Sequence, residues 1–138
     1  MMRIEATTTA SPERLWETVA DVHSWPEYAP TFTSVTPLDV SATGVGTRYR
    51  VKQPGLPAAT YRISAWHPGH SFTWISRSPA VTTTAIHTVR PDGDGAVLEL
   101  LLEWTGPFAW LADRLLTSRA ETMIRTEADA LTRHSELR

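Results

Sequence analysis

Few side chains in this sequence could carry chemistry, and His87 heads them. It stands in Val81-Thr82-Thr83-Thr84-Ala85-Ile86-His87-Thr88-Val89, a β-branched run that reads as a strand. Alternate positions of a strand share a face, and the odd set (Val81, Thr83, Ala85, His87, Val89) is the more apolar, so the histidine is expected inward. Histidine changes charge near neutral pH, and apolar surroundings favour the neutral form that can accept a proton. Tyr49 and Tyr61 fall on the inward parity of their own strands and could donate to a developing enolate or carbonyl oxygen. Inward parity for His87 lets Pro91 pair with Ala96 across an Asp92-Gly93-Asp94-Gly95 loop. A five-residue loop would instead set His87 beside Glu99 on the solvent face. An enclosed histidine also serves as hydrogen-bonded structure or as a group that orients a ligand, so three roles stand open for it.

Other chemistries find little support. With no cysteine, disulfides, thiolate metal sites and a cysteine nucleophile are excluded. His67 and His70 flank Pro68-Gly69 in a turn with no carboxylate close by, so no metal is expected. Gly44-Val45-Gly46 is too short for a phosphate loop and precedes a strand, and no Gly-x-Ser-x-Gly elbow occurs. Asp92 and Asp94 read as turn residues before they read as calcium ligands. Arg114, Arg119, Glu121, Arg125, Glu127, Asp129 and Arg133 mix signs along the last helix and read as its solvated face. No cofactor is expected.

The elements that must position His87 follow from the chain of 138 residues, one domain's worth at 41% hydrophobic and 20% charged. Arg3 to Thr9 alternates as a first strand. Ser11-Pro12-Glu13 supplies a cap, a proline at the first helical position and an acid at the positive end of a helix over 11–22. Ser24 and Glu27 repeat the signal with capping-box spacing, and Pro30 keeps that second helix short. Six strands near 31–40, 46–53, 59–67, 71–78, 81–91 and 96–105 are joined by short Gly- and Pro-rich turns, which predicts an antiparallel meander. After Gly106-Pro107, a long helix carries Leu111, Leu115, Ala120, Met123/Ile124, Ala128 and Leu131 as its apolar stripe.

An antiparallel sheet and one long helix make a two-layer α+β domain. Seven twisted strands curl, and a single helix cannot fill the concave side unless the side chains there are very large. A cavity is expected between them. Leu98, Leu100, Leu102 and Trp104 must point at the helix, because the opposite parity would bury Glu99 and Glu103 unpaired. The same reasoning brings Tyr49, Val51, Tyr61, Ile63, Phe72 and Trp74 inward and leaves Arg48, Arg50 and Lys52 outside. Trp25, Tyr28, Phe108 and Trp110 are expected to gate the mouth, with Leu111 and Leu115 on the helix side. Six tryptophans suit either a core or an apolar pocket. A net charge of −2 argues against nucleic acid as a partner. No apolar run is long enough to span a bilayer and no signal-peptide core is seen at the N-terminus, so the expected compartment is the cytoplasm, as a monomer or homodimer.

Taken together, Ala10-Ser11-Pro12-Glu13-Arg14-Leu15-Trp16, Asp21-Val22-His23-Ser24-Trp25-Pro26-Glu27-Tyr28, Gly44-Val45-Gly46-Thr47-Arg48-Tyr49-Arg50-Val51, Gly93-Asp94-Gly95-Ala96-Val97-Leu98 and the final helix resemble the START-like, or SRPBCC, superfamily. Within it, the resemblance is to the polyketide cyclase/dehydrase and lipid-transport branch, over essentially the whole chain. It implies a helix-grip fold and a deep hydrophobic cavity that in relatives holds polyketides, sterols, lipids, quinones or plant hormones. It also implies an inward side chain at the position of His87. Two functions follow as expectations, a binder or carrier of a small apolar, aromatic or polyketide-like molecule, and a cyclase or dehydratase with His87 as general acid or base and Tyr49 or Tyr61 as oxyanion partner. The arginine that some cyclases direct into the pocket has no equivalent, since Arg48, Arg50, Arg62 and Arg77 read outward. An interaction protein is a third expectation, resting on Phe108 and Trp110.

Overall fold

The computed structural model describes residues 1–40 and 42–137. In chain order it comprises β1 (Met2–Thr8), α1 (Pro12–Ala20), a 3-10 helix (Val22–Glu27), β2 (Ser34–Pro37), β3 (Arg48–Lys52) and β4 (Ala59–His67). β5 (Ser71–Arg77), β6 (Thr82–Asp92), β7 (Gly95–Thr105) and α2 (Ala109–Ser135) complete it. One antiparallel sheet of the described residues holds all seven strands in the order β1-β7-β6-β5-β4-β3-β2. The two-layer α+β arrangement of a curved sheet around a long C-terminal helix is the one expected.

Local sequence explains most boundaries. The Ser11 Oγ accepts from the Arg14 amide at 3.2 Å, Pro12 opens α1, and Leu15, Thr18 and Val19 turn inward. The capping box read at Ser24 and Glu27 is not used. The second helix starts at Val22 behind Asp21, with no side-chain cap, and keeps a 3-10 pitch. Pro26 lies inside it and has no N–H to continue an α-helical ladder. β2 is four residues long, against the ten expected, and ends on Pro37 at the sheet edge. A short edge strand with proline suits a position where unpaired backbone invites aggregation.

The β6–β7 register pairs His87 with Leu100 and Pro91 with Ala96. The hairpin is tighter than the expected loop, since Asp92 also pairs with Gly95 and only Gly93 and Asp94 turn the chain. Gly93 takes φ +58°, the positive value that the first position of a two-residue hairpin loop asks for. Four residues and two have the same parity, so His87 stays on the inner face, with 2% exposure. A register shift between Ile63 and Ala65 bulges β4 against β5 and adds local twist, which helps bend the sheet.

Trp25, Phe72, Leu15, Ile63, Leu98 and Leu131 are the largest fully buried residues of the core. The C-terminal half of α2 docks beside β1, where the Thr8 and Ser135 hydroxyls lie 3.0 Å apart and the Glu136 carboxylate accepts from the Thr9 amide at 2.8 Å. The bonds from the Thr9 amide and hydroxyl hold the Glu136 carboxyl below its ordinary range. The N-terminal half departs from the expected stripe. Leu115 is 68% exposed and Leu116 takes its place toward the sheet, joined by Glu127, while Ala120, Met123 and Ile124 of the expected stripe do face it. These positions recur at steps of three and four, and Leu115 lies one residue off, roughly 100° around the axis.

Candidate functional site

Between the concave sheet and the middle of α2 the side chains leave a cavity of about 230 Å³. Val51 and Tyr61 of β3 and β4, Trp74 of β5, Ala85 and His87 of β6, and Leu100, Leu102 and Trp104 of β7 form its sheet wall. Leu116, Ala120, Met123 and Ile124 form the helix wall. Arg119 closes one side by donating to the Pro54 carbonyl at 3.3 Å, tying the β3–β4 turn to α2. Gly55, at φ +74°, makes room for that guanidinium, because a Cβ there would meet Arg119 Nη2 at 2.0 Å.

Three polar groups converge on the inner end. The His87 imidazole stacks on Phe72, centroids 4.2 Å apart and planes within 7°, and meets Trp25 and Trp74 at 5.5 and 5.7 Å. The three aromatic contacts hold the plane of the ring. Its Nε2 faces the Glu127 carboxylate at 3.8 Å, beyond hydrogen-bond reach, and its buried Nδ1 has no hydrogen-bond partner among the described residues. Glu127 is itself buried, at 7% exposure. Tyr61 stands close enough that burial first, and the negative charge of Glu127 second, push its phenol up to about 12.

Tyr61 is therefore a neutral hydrogen-bond donor throughout the physiological range. Because the folded value lies above the ordinary 10.0, the stabilisation it reflects is complete below pH 10 and is lost as pH rises through 12. Absorbance titration should show one of the three tyrosines ionising near 12, and that step should vanish in Tyr61→Phe. Ionisation of all three near their ordinary value would contradict this environment.

Of the residues expected at the cavity, the structure brings Val51, Tyr61, Trp74, His87, Leu100 and Trp104 together on its wall. Trp25, Ile63 and Phe72 lie behind that wall, fully buried in the core. Trp25 is held there by donating Nε1–H to the Thr18 carbonyl at 3.3 Å. Tyr49 is buried beside Trp74, its hydroxyl 3.4 Å from that of Thr43, so it has no place on the wall and cannot serve as oxyanion partner there. Tyr28 stacks on His134 at 3.7 Å and lines a separate small cleft with Glu17, Thr18 and Asp21. Phe108 and Trp110 are both exposed, at 50% and 62%, and neither they nor Leu111 and Leu115 reach the cavity. No gate of Trp25, Tyr28, Phe108 and Trp110 forms, because the first is in the core and the others lie on different surfaces.

Glu127 does not lie on the solvated face expected of the mixed-charge run but is buried at the cavity, a site residue that the charge pattern conceals. The signal for it was helical phase, since Glu127 falls three residues after Ile124 and four before Leu131, both on the packed face. Arg119, read as solvated too, borders the cavity, as do Gln53 and Leu56 of the β3–β4 turn. Arg48, Arg50, Arg62 and Arg77 are exposed, as expected. His67 and His70 sit at the two ends of the β4–β5 turn, and among the described residues no group of three or more His, Asp or Glu could hold a metal ion.

The sequence profile of the family described as polyketide cyclase/dehydrase and lipid transport matches residues 1–136. The chain belongs to that family, within the SRPBCC superfamily. No curated protein matches it. Solved structures of this family's fold include the Zhui aromatase/cyclase from a Streptomyces species, 17% identical over 98% of this chain and 92% of that one, TM-score 0.77. A norcoclaurine synthase point mutant from Thalictrum flavum, in complex with a transition-state analogue, is 19% identical over 97% and 92%, TM-score 0.76. At such identities the likeness carries the helix-grip fold and no particular chemistry. Among the described residues of this family member, no helix is long and apolar enough to cross a membrane.

Proposed function

We propose that this SRPBCC protein binds a small, mostly apolar, ring-bearing molecule in the cavity between its sheet and α2, as a binding or carrier protein. The observation that carries this reading is space that the chain's own large side chains leave unfilled, walled mostly by apolar groups such as Trp74, Trp104, Leu100 and Met123, with few polar ones. About 230 Å³ lies just below the ~300–1,000 Å³ of pockets for drug-sized ligands, which suits one or two fused rings better than a long acyl chain. Flat aromatic walls favour a flat guest.

A thermal-shift panel of quinones, flavonoids, fatty acids and small aromatic polyketides tests it. A guest present at a hundredfold excess over its Kd should stabilise the fold by about 2.7 kcal/mol. Absence of any shift across the panel at concentrations well above micromolar would overturn the reading.

One observation favours a second reading, a cyclase or dehydratase. His87, Glu127 and Tyr61 converge at the inner end, where a base and a hydroxyl donor could act on an enolisable ketone. His87 would be the general acid or base, and Tyr61 the donor to the developing oxyanion. The Zhui aromatase/cyclase shares the fold of this chain. Return of a bound poly-ketone as a cyclised product that has lost water would separate this reading from simple carriage.

A further inference from the structure

Glu127 is a carboxylate placed among aromatic and aliphatic walls, and among the described residues no group donates a hydrogen bond to it. An unsatisfied polar group in such a place destabilises the fold unless something else satisfies it. Its neighbour His87 has the complementary defect. The imidazole packs against Phe72, Trp25 and Trp74, and its buried Nδ1 has no hydrogen-bond partner among the described residues. Nε2 is the ring nitrogen that faces Glu127, across 3.8 Å, so we assign it the N–H that would look for a partner there. Histidine and glutamate sit on different elements, β6 and α2, and the gap is too wide for them to satisfy each other.

That gap has the dimensions of a bridging atom. One oxygen making two hydrogen bonds of about 2.7–2.9 Å spans 3.8 Å at roughly a right angle. The bridging group must accept from Nε2–H and donate to the carboxylate at once. A hydroxyl does both. A ketone oxygen accepts only and would face the carboxylate lone pairs, and an ammonium donates only and would face the imidazole N–H. Resting on the reading of the cavity as a binding site, we propose that Glu127 and His87 form a hydroxyl-selecting subsite, so that the guest is a phenol or ring alcohol inserted hydroxyl-first. The rest of the lining is mostly apolar, and its Arg119 is already engaged with the Pro54 carbonyl.

Equilibrium dialysis with 1-naphthol, naphthalene and 1-methoxynaphthalene tests this on the intact chain. The wild type should bind 1-naphthol at least tenfold more tightly than either of the other two, which share its rings and lack the proton to donate. In Glu127→Met, which keeps length and apolar fit but has no carboxylate, the three should bind within about threefold of one another. Equal binding of the three by the wild type overturns the subsite while leaving the cavity reading intact, as does a naphthol preference that survives unchanged in the variant. Failure of all three to bind overturns this inference, and the cavity reading falls with it only where the thermal-shift panel also shows no guest. The wild-type comparison decides the matter even where the variant does not fold.

Discussion

Alanine in place of Trp25 should bring the fold to the edge of collapse. The indole is fully buried, packs against Phe32, Trp74 and His87 at 5.1–5.5 Å, and donates to the Thr18 carbonyl of α1. It therefore joins the helical segment to the sheet at the point where the cavity wall begins. Trp→Ala in a core removes about 3–5 kcal/mol, and a domain of this kind holds some 5–15 kcal/mol in all. Urea titration should show the midpoint falling by about a fifth or more. A midpoint within experimental error of the wild type would mean that Trp25 is a surface lid after all.

The second large effect is on binding and leaves the fold alone. Ala120 faces the cavity from the half-buried side of α2, and its Cβ is where an added side chain would enter empty space. Tryptophan there should occupy most of the cavity, lowering the affinity for whichever guest stabilises the wild type by at least a hundredfold. Since the new ring fills a void and displaces no packed group, the melting temperature should stay within a few degrees. Unchanged affinity in Ala120→Trp would place the guest elsewhere on the molecule.

Strand parity was the most legible part of this chain, because burying Glu99 and Glu103 is prohibitive and every neighbouring strand inherits the choice. His87 therefore faces inward although its hairpin is two residues tighter than the loop read from Asp92 to Gly95. Tryptophan was the least legible. Trp25 and Trp74 look alike in sequence, yet one is sealed in the core by a bond to Thr18 and the other lines the cavity, and only the paths of α1 and the sheet separate them. Adjacent leucines posed the same difficulty at 115 and 116. Glu127 was hidden by a sound rule, that mixed charges mark a wet helix face, applied one residue too broadly. Its burial makes sense only beside His87, which lies forty residues earlier in the chain.

The two ends of α2 are anchored unequally. Its last turns are bolted to β1 through Thr8, Thr9, Ser135 and Glu136, while its first turns overhang the hollow with Phe108, Trp110 and Leu115 in the open. Substitutions at Leu116, Ala120 and Met123 thus alter the shape of the chamber without touching the bolted end. The shape of the chamber can therefore change almost independently of the contacts that fasten the helix to the sheet.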